Sequence, residues 1–184
     1  DPNNEIVAIK KMKSKYKSWE ECNILREIKC LKKLEHPNIV RLREVILANS
    51  ELFLVFDYLE CNLYQVYTRA KESSRSLTEG EIKSIFFKIA TGLSCLHRSG
   101  YFHRDLKPSN VFLLKGAQLQ VKVVDFGIAR SLDAKTVLTA SGTMLGTPLY
   151  MAPEQLRALP ASFASDVHAL ASITFEVLTG AAPF

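Results

Sequence analysis

The sequence has no apolar run near the roughly 18 residues that a membrane helix needs. It also has no Cys-x-x-Cys pair and no glycine-rich phosphate loop of the Gly-x-Gly-x-x-Gly or the Gly-x-x-x-x-Gly-Lys-Ser/Thr type. These absences argue against a spanning helix, a zinc ribbon, a dinucleotide fold and a P-loop NTPase. The start, Asp1-Pro2-Asn3-Asn4, lacks the basic and apolar segments of a signal peptide. Eight glycines and seven prolines in 184 residues are too few for a low-complexity chain. Cys22, Cys30, Cys61 and Cys95 read as reduced thiols rather than zinc ligands or disulfides, which places the chain in the cytoplasm, with the nucleus as the alternative.

Hydrophobic residues make up 47% of the chain. At this length a fold can bury about 70% of the unfolded surface. The net charge is +5, and the start is dense in lysine: Lys10, Lys11, Lys13, Lys15 and Lys17. Such a run can attract nucleic acid, but no interleaved aromatics or binding motif accompany it, so it reads as a solvated strand-to-helix connection.

Hydrophobic spacing sets out the elements. Residues 6–12 read as a strand. Ser18-Trp19-Glu20-Glu21 has capping-box spacing and opens a helix whose apolar stripe is Ile24, Leu25, Ile28, Leu31 and Leu34. His36-Pro37-Asn38 stops it. Strands follow at 39–46 and 51–58, with a turn at Ala48-Asn49-Ser50. A short helix begins near Asn62. A second capping box, Thr78 to Glu81, opens a long apolar helix through Leu96. Two short strands, 111–114 and 119–124, precede a Ser-, Thr- and Gly-rich stretch over 128–153. A loop of that length inside a domain is usually functional. A last apolar helix covers 165–179. Strands early and helices late indicate an α+β protein of two lobes, 1–58 and 59–184, joined near Asp57 to Asn62.

Two segments carry the chemistry. His103-Arg104-Asp105-Leu106-Lys107-Pro108-Ser109-Asn110 is followed, after the strand pair, by Asp125-Phe126-Gly127. Together they offer a base, a phosphate-neutralising lysine and two oxygen ligands for a metal, the requirements for moving a phosphoryl group. Upstream stands Val7-Ala8-Ile9-Lys10, and downstream Gly146-Thr147-Pro148-Leu149-Tyr150-Met151-Ala152-Pro153-Glu154. In this order the motifs resemble those of the eukaryotic protein kinases. The first half is most similar to the cyclin-dependent branch and its male-germ-cell-associated relatives. The segment before Glu154 is closer to NIMA-related or calcium/calmodulin-type kinases, which puts a strict preference for proline after the target residue in doubt.

The resemblance implies a bilobal kinase fold, ATP and Mg2+ as cofactors, protein substrates and an upstream activating kinase. It implies that Lys10 pairs with phosphates and is held by Glu27. Asp105 accepts or orients the hydroxyl proton, Lys107 neutralises the transferring phosphate, and Asn110 and Asp125 hold magnesium. Ala8 and Phe112 sandwich adenine, Phe56 limits the depth behind it, and Asp57 and Leu59 offer backbone hydrogen bonds. Lys107 with Thr147 is the serine/threonine pattern. His103 and Asp166 read as scaffold. Arg26, Arg104 and Arg130 would converge on a phosphorylated Thr143 or, second, Ser141. A chain that starts at the third strand and stops at Phe184 is expected to be a kinase fragment truncated at both ends. A pseudokinase or scaffold that binds nucleotide or partners without catalysis is the alternative.

Overall fold

A computed structural model describes residues 5–73, 77–114, 119–125 and 148–183, except the side chains of Asn23, Ile24, Arg26 and Glu27. The first sheet is antiparallel, in the order β1 (Val7–Lys15), β3 (Glu51–Asp57), β2 (Leu42–Ala48). Asn49 and Ser50 both take positive φ, 51° and 59°. That matches the two-residue turn whose twist suits a hairpin, and it sets the Ala48–Glu51 register. Between the strands of this sheet lie α1 (Trp19–Ile24) and α2 (Arg26–Lys33).

The single helix expected after Ser18 is therefore two. Leu25 leaves helical geometry with ψ of 120°. Cys22 is buried from one piece, and Ile28, Cys30 and Leu31 from the other. The stripe repeats at helical spacing across the break, so periodicity could not show it. The basic run also differs from its reading as a connection. β1 continues through Lys15, and Lys11 and Lys15 both reach the carboxylate of Glu51, at 2.7 and 3.0 Å.

β4 (Cys61–Asn62), β5 (Val111–Leu114) and β6 (Gln120–Val123) form a second antiparallel sheet. Asn62 ends β4 and caps α3 (Leu63–Glu72) in a full capping box with Gln65. Thr78 and Glu81 do the same for α4 (Glu79–Arg98), as their spacing indicates. α4 sinks Ile85, Ile89, Leu93 and Leu96 into the core. Each such side chain contributes about 1.5–3 kcal/mol of apolar transfer. α5 (Pro153–Leu156) and α6 (Phe163–Thr179) complete the described elements. Ser162 caps α6, which begins two residues before the expected start, and Gly180, at φ 72°, ends it. Among the described residues no helix is long and apolar enough to cross a membrane.

The segment before β2 is bonded to the second sheet. The strand expected over 39–46 begins only at Leu42, because residues 38–40 pair elsewhere. Val123 donates to the Asn38 carbonyl at 2.9 Å and Val40 to the Val123 carbonyl at 3.0 Å, a parallel bridge onto β6. The Asn38 side chain donates to the Val121 carbonyl and accepts from Thr91 of α4. Gly92, one residue on, lets α4 approach this segment. A Cβ there would lie 3.0 Å from the Asn38 oxygen and 3.3 Å from its Cβ.

Gly92→Ala accordingly lowers stability by about 1–3 kcal/mol through overpacking, although alanine favours a helix by about 1 kcal/mol over glycine. A urea melt reads the difference, and an unchanged or higher midpoint would show that the Asn38 segment yields freely.

Candidate active site

The site is built where β1, the end of β3 and the turns flanking β5 and β6 meet. Ala8 and Lys10 are two residues apart on β1 and so share one face. With Val40, Phe56, Asp57, Leu59, Phe112, Val124 and Asp125 they line a cavity of about 370 Å³. That size suits a small-molecule ligand. The expected adenine-facing residues Ala8, Phe56, Asp57, Leu59 and Phe112 are thus brought together. Val40, Ile9, Tyr58 and Val124 also line the cavity and were not expected. Val40 gets there through its bond to β6, a tertiary event with no local signature.

Lys10 reaches across this cavity to Asp125, Nζ to Oδ1 at 3.0 Å. Asp125 has φ of 55°, a left-handed backbone that costs a non-glycine residue about 1–3 kcal/mol and that clusters at functional sites. The residue before it, Val124, donates its backbone N–H to the Asn110 carbonyl at 3.0 Å. Asn110 is buried, in the turn of 3-10 helix formed by Pro108–Asn110. Its Nδ2 donates to the Asp105 carbonyl at 2.8 Å and approaches the Asp105 carboxylate at 3.4 Å. Lys107 donates to that same carboxylate at 3.0 Å. Lys10 with Asp125, and Asp105 with Lys107 and Asn110, are therefore two polar groups, tied to each other through the backbone of Val124.

The turn carrying Asp105 is held from below. Asp166 of α6 is 1% exposed. Its Oδ2 accepts the His103 N–H at 2.7 Å, and its Oδ1 accepts the Arg104 N–H at 2.8 Å. His97 of α4 donates its Nε2–H to Oδ2 at 2.8 Å. These bonds hold Arg104 at φ of 68°, a conformation few non-glycine residues adopt unaided. Asp166 is the scaffold residue it was expected to be, and His97 was missed. Gln155 of α5 adds a bond to the Arg104 carbonyl at 2.7 Å, and Ser165 donates to Glu154 at 2.6 Å. The hydroxyl donated by Ser165 is the first cause holding the Glu154 carboxyl below the ordinary range.

His103 is wholly buried. Its Nδ1 accepts the Asp105 N–H at 3.3 Å, so the proton sits on Nε2, which donates to the Val124 carbonyl at 2.9 Å. The imidazole thus ties the turn bearing Asp105 to the strand leading to Asp125. It is structural, as expected, and not a base facing the cavity. Burial pushes its pKa down.

The donor set fits a hard divalent cation. Asp125 offers carboxylate oxygens and Asn110 an amide oxygen, and magnesium is commonly held by one or two such groups with phosphates and water completing the shell. Among the described residues no three His, Cys, Asp or Glu side chains cluster to hold a metal by themselves. Glu27 and Arg26 lie in the first turn of α2, directly after the break at Leu25, and their side chains lie outside the description. Thr143, Ser141, Arg130 and Thr147 lie outside the described residues. The Arg104 guanidinium rests on the Phe102 ring, 4.4 Å from its centroid.

Because folding keeps His103 neutral while the unfolded chain protonates near pH 6.5, the unfolded state binds the extra proton. Stability is complete above that pH and falls as pH drops through it. Burial lowers the pKa of His36 as well, so it adds to the same slope. His103→Gln should flatten, without abolishing, the loss of unfolding free energy between pH 7 and pH 5. Equal slopes for variant and parent would contradict this.

The protein kinase domain model matches residues 1–184. Cyclin-dependent kinase F-3 of Oryza sativa subsp. japonica is 45% identical over 96% of this chain, and the match covers 39% of that protein. Serine/threonine-protein kinase ICK of Rattus norvegicus is 46% identical over 95% of the chain and 27% of its own length. Serine/threonine-protein kinase MAK of Homo sapiens is 44% identical over 94% of the chain and 27% of its own length. The chain thus spans between about a quarter and two-fifths of these curated relatives. With the domain model matched from end to end and relatives 44–46% identical over nearly the whole chain, this chain belongs to the protein kinase family.

Proposed function

We propose that the protein carrying this chain is an ATP- and magnesium-dependent protein serine/threonine kinase. The observation that carries the reading is the placement of two polar groups. Lys10 meets Asp125 at 3.0 Å at the cavity, and the group of Asp105, Lys107 and Asn110 is tied to the residue before Asp125, Val124, by a main-chain bond. The names of the relatives support serine and threonine as acceptors, as does Lys107 in combination with Thr147.

In this reading the apolar cavity walls, Ala8, Val40 and Phe112, take the adenine, while Asp57 and Leu59 present backbone groups to its edge. Lys10 binds the phosphates nearer the base. Asp125 and Asn110 would hold magnesium, which when bound offsets the negative charge of the transferring phosphates. Asp105 receives the acceptor hydroxyl and orients or takes its proton as the oxygen bonds to the γ-phosphorus. The bond from that phosphorus to the bridging oxygen breaks, and ADP leaves. Lys107 already touches Asp105, so a small side-chain movement turns its ammonium from the carboxylate to the incoming phosphate. Positioning and electrostatics are the whole contribution of these groups, and no covalent intermediate on the chain is required.

The four free thiols among the described residues suit a reducing compartment, and we place the activity in the cytoplasm or nucleus. Protein substrates follow from the reaction, and an upstream kinase acting at Thr143, with Ser141 second, is the proposed activator. A phosphate there would draw on Arg26, Arg104 and Arg130 through charge-assisted bonds.

Transfer of label from ATP to a generic protein tests the reaction. Asp105→Asn should reduce the rate by on the order of 10² to 10⁴, and equal labelling by parent and variant would remove the assignment. The activation proposal has its own test. Activity after treatment with an activating kinase should be lost in the Thr143→Ala, Ser141→Ala double variant, and full activity there would exclude both residues.

A further inference from the structure

Arg104 stands directly before Asp105 and holds a left-handed backbone at φ 68°. Both of its main-chain polar groups are gripped by side chains from other elements. Its N–H donates to Asp166 of α6 at 2.8 Å. Its carbonyl accepts from Nε2 of Gln155, on α5, at 2.7 Å. That carbonyl belongs to the peptide unit whose nitrogen is the Asp105 nitrogen. The other end of the same unit, the Asp105 N–H, donates to His103 Nδ1 at 3.3 Å. By length the bond to Gln155 is the stronger of the two.

The neighbours of Gln155 settle which way its amide faces. Oε1 accepts the Ala152 N–H at 3.1 Å, so Nε2 is the donor turned to Arg104. Ala152 is 1% exposed, and the amide is braced from behind by a buried residue. Gln155 therefore joins the start of α5 to the turn that carries Asp105. A left-handed residue other than glycine is strained, and rotation of the adjoining peptide unit relieves such strain. The unit is planar and turns as one piece. Its rotation changes ψ of Arg104 and φ of Asp105 together. The Asp105 carboxylate would then leave the place where Lys107 and Asn110 meet it.

We infer that Gln155 is a positioning residue for Asp105, its amide fixing the peptide unit between Arg104 and Asp105 and with it the aim of the Asp105 carboxylate. This deepens the kinase reading and rests on it. A turned carboxylate costs alignment with the acceptor hydroxyl. The nucleotide cavity is lined by other residues, so the loss falls on kcat and leaves the KM for ATP in place.

The competing role for Gln155 is that of a helix cap alone, through the Ala152 N–H. Three substitutions in the complete kinase separate the two. Gln155→Met keeps the length and loses both bonds. Gln155→Glu keeps an acceptor for Ala152 and sets an oxygen against the Arg104 carbonyl. Gln155→Lys keeps a donor of similar reach for that carbonyl and loses the acceptor. The readouts are kcat on a serine-containing peptide, KM for ATP, melting temperature, and hydrogen exchange of the Asp105 and Leu106 amides.

Gln155→Met should lower kcat about three- to tenfold, the size of one hydrogen bond. Gln155→Glu should lower it at least as far at a parental melting temperature. Gln155→Lys should recover part of the kcat lost in Gln155→Met. The KM for ATP should stay at the parental value in all three. An unchanged kcat in Gln155→Met would overturn the inference. So would parental kcat in Gln155→Glu with Gln155→Lys as slow as Gln155→Met, the pattern of a cap. Equal falls of kcat and melting temperature in all three would mark a merely structural bond and end it too. Should the parent label no better than Asp105→Asn, the kinase reading itself fails. Exchange then decides alone: faster exchange in Gln155→Glu than in Gln155→Lys upholds the hold on the peptide unit, and equal exchange removes it.

Discussion

A buried carboxylate holds the turn on which the chemistry would take place. Asp166 accepts two consecutive backbone N–H groups, from His103 and Arg104, and a third hydrogen from His97. An ionised carboxylate with no partners at 1% exposure would be prohibitively costly. Three donors make it tolerable, and in exchange they hold the left-handed backbone at Arg104, directly before Asp105. Breaking one partner away would leave a buried charge short of hydrogen bonds, which is why such clusters act as a unit.

A second constraint works at the far end of the same turn. His103 and Asn110 each bond to Val124, one by side chain and the other by carbonyl. The segment with Asp105 and the segment with Asp125 are therefore positioned by the same residue. Lys10 approaches from a different sheet. Its placement depends on how the first sheet sits on the second, and the bridge of Asn38 and Val40 onto β6 sets that, with α4 drawn close at Gly92. Stability and site geometry share these bonds, so a substitution in the Asn38 segment would reach the cavity through Val40 as well as through the core.

Much of this was legible in the residues. The helix start near Asn62 and the capping box at Thr78 rest on local hydrogen-bonding patterns, and local patterns survive in a sequence. The apolar stripe of α4 was legible for the same reason. The break at Leu25 was not, because the residues on both sides keep helical spacing. Nor was the extension of β1 through its lysines, which depends on Glu51 lying across the sheet to receive two of them. Ile39 and Val40 read as the start of a strand, and this segment does pair, but with β6 in place of the neighbouring hairpin.

The site divides in the same way. Residue type and order by themselves pointed to a candidate base, two lysines and two candidate oxygen ligands of the kind phosphoryl transfer needs, since those functions need particular groups and the groups lie in short segments. Only the tertiary structure decided that Lys10 and Asp125, 115 positions apart, come within 3.0 Å. It also decided that Val40 lines the cavity, that His97 supports Asp166, and that Gln155 reaches the Arg104 carbonyl. Those meetings join helices and strands distant along the chain, and a contact between distant segments leaves no mark on the local spacing of either one.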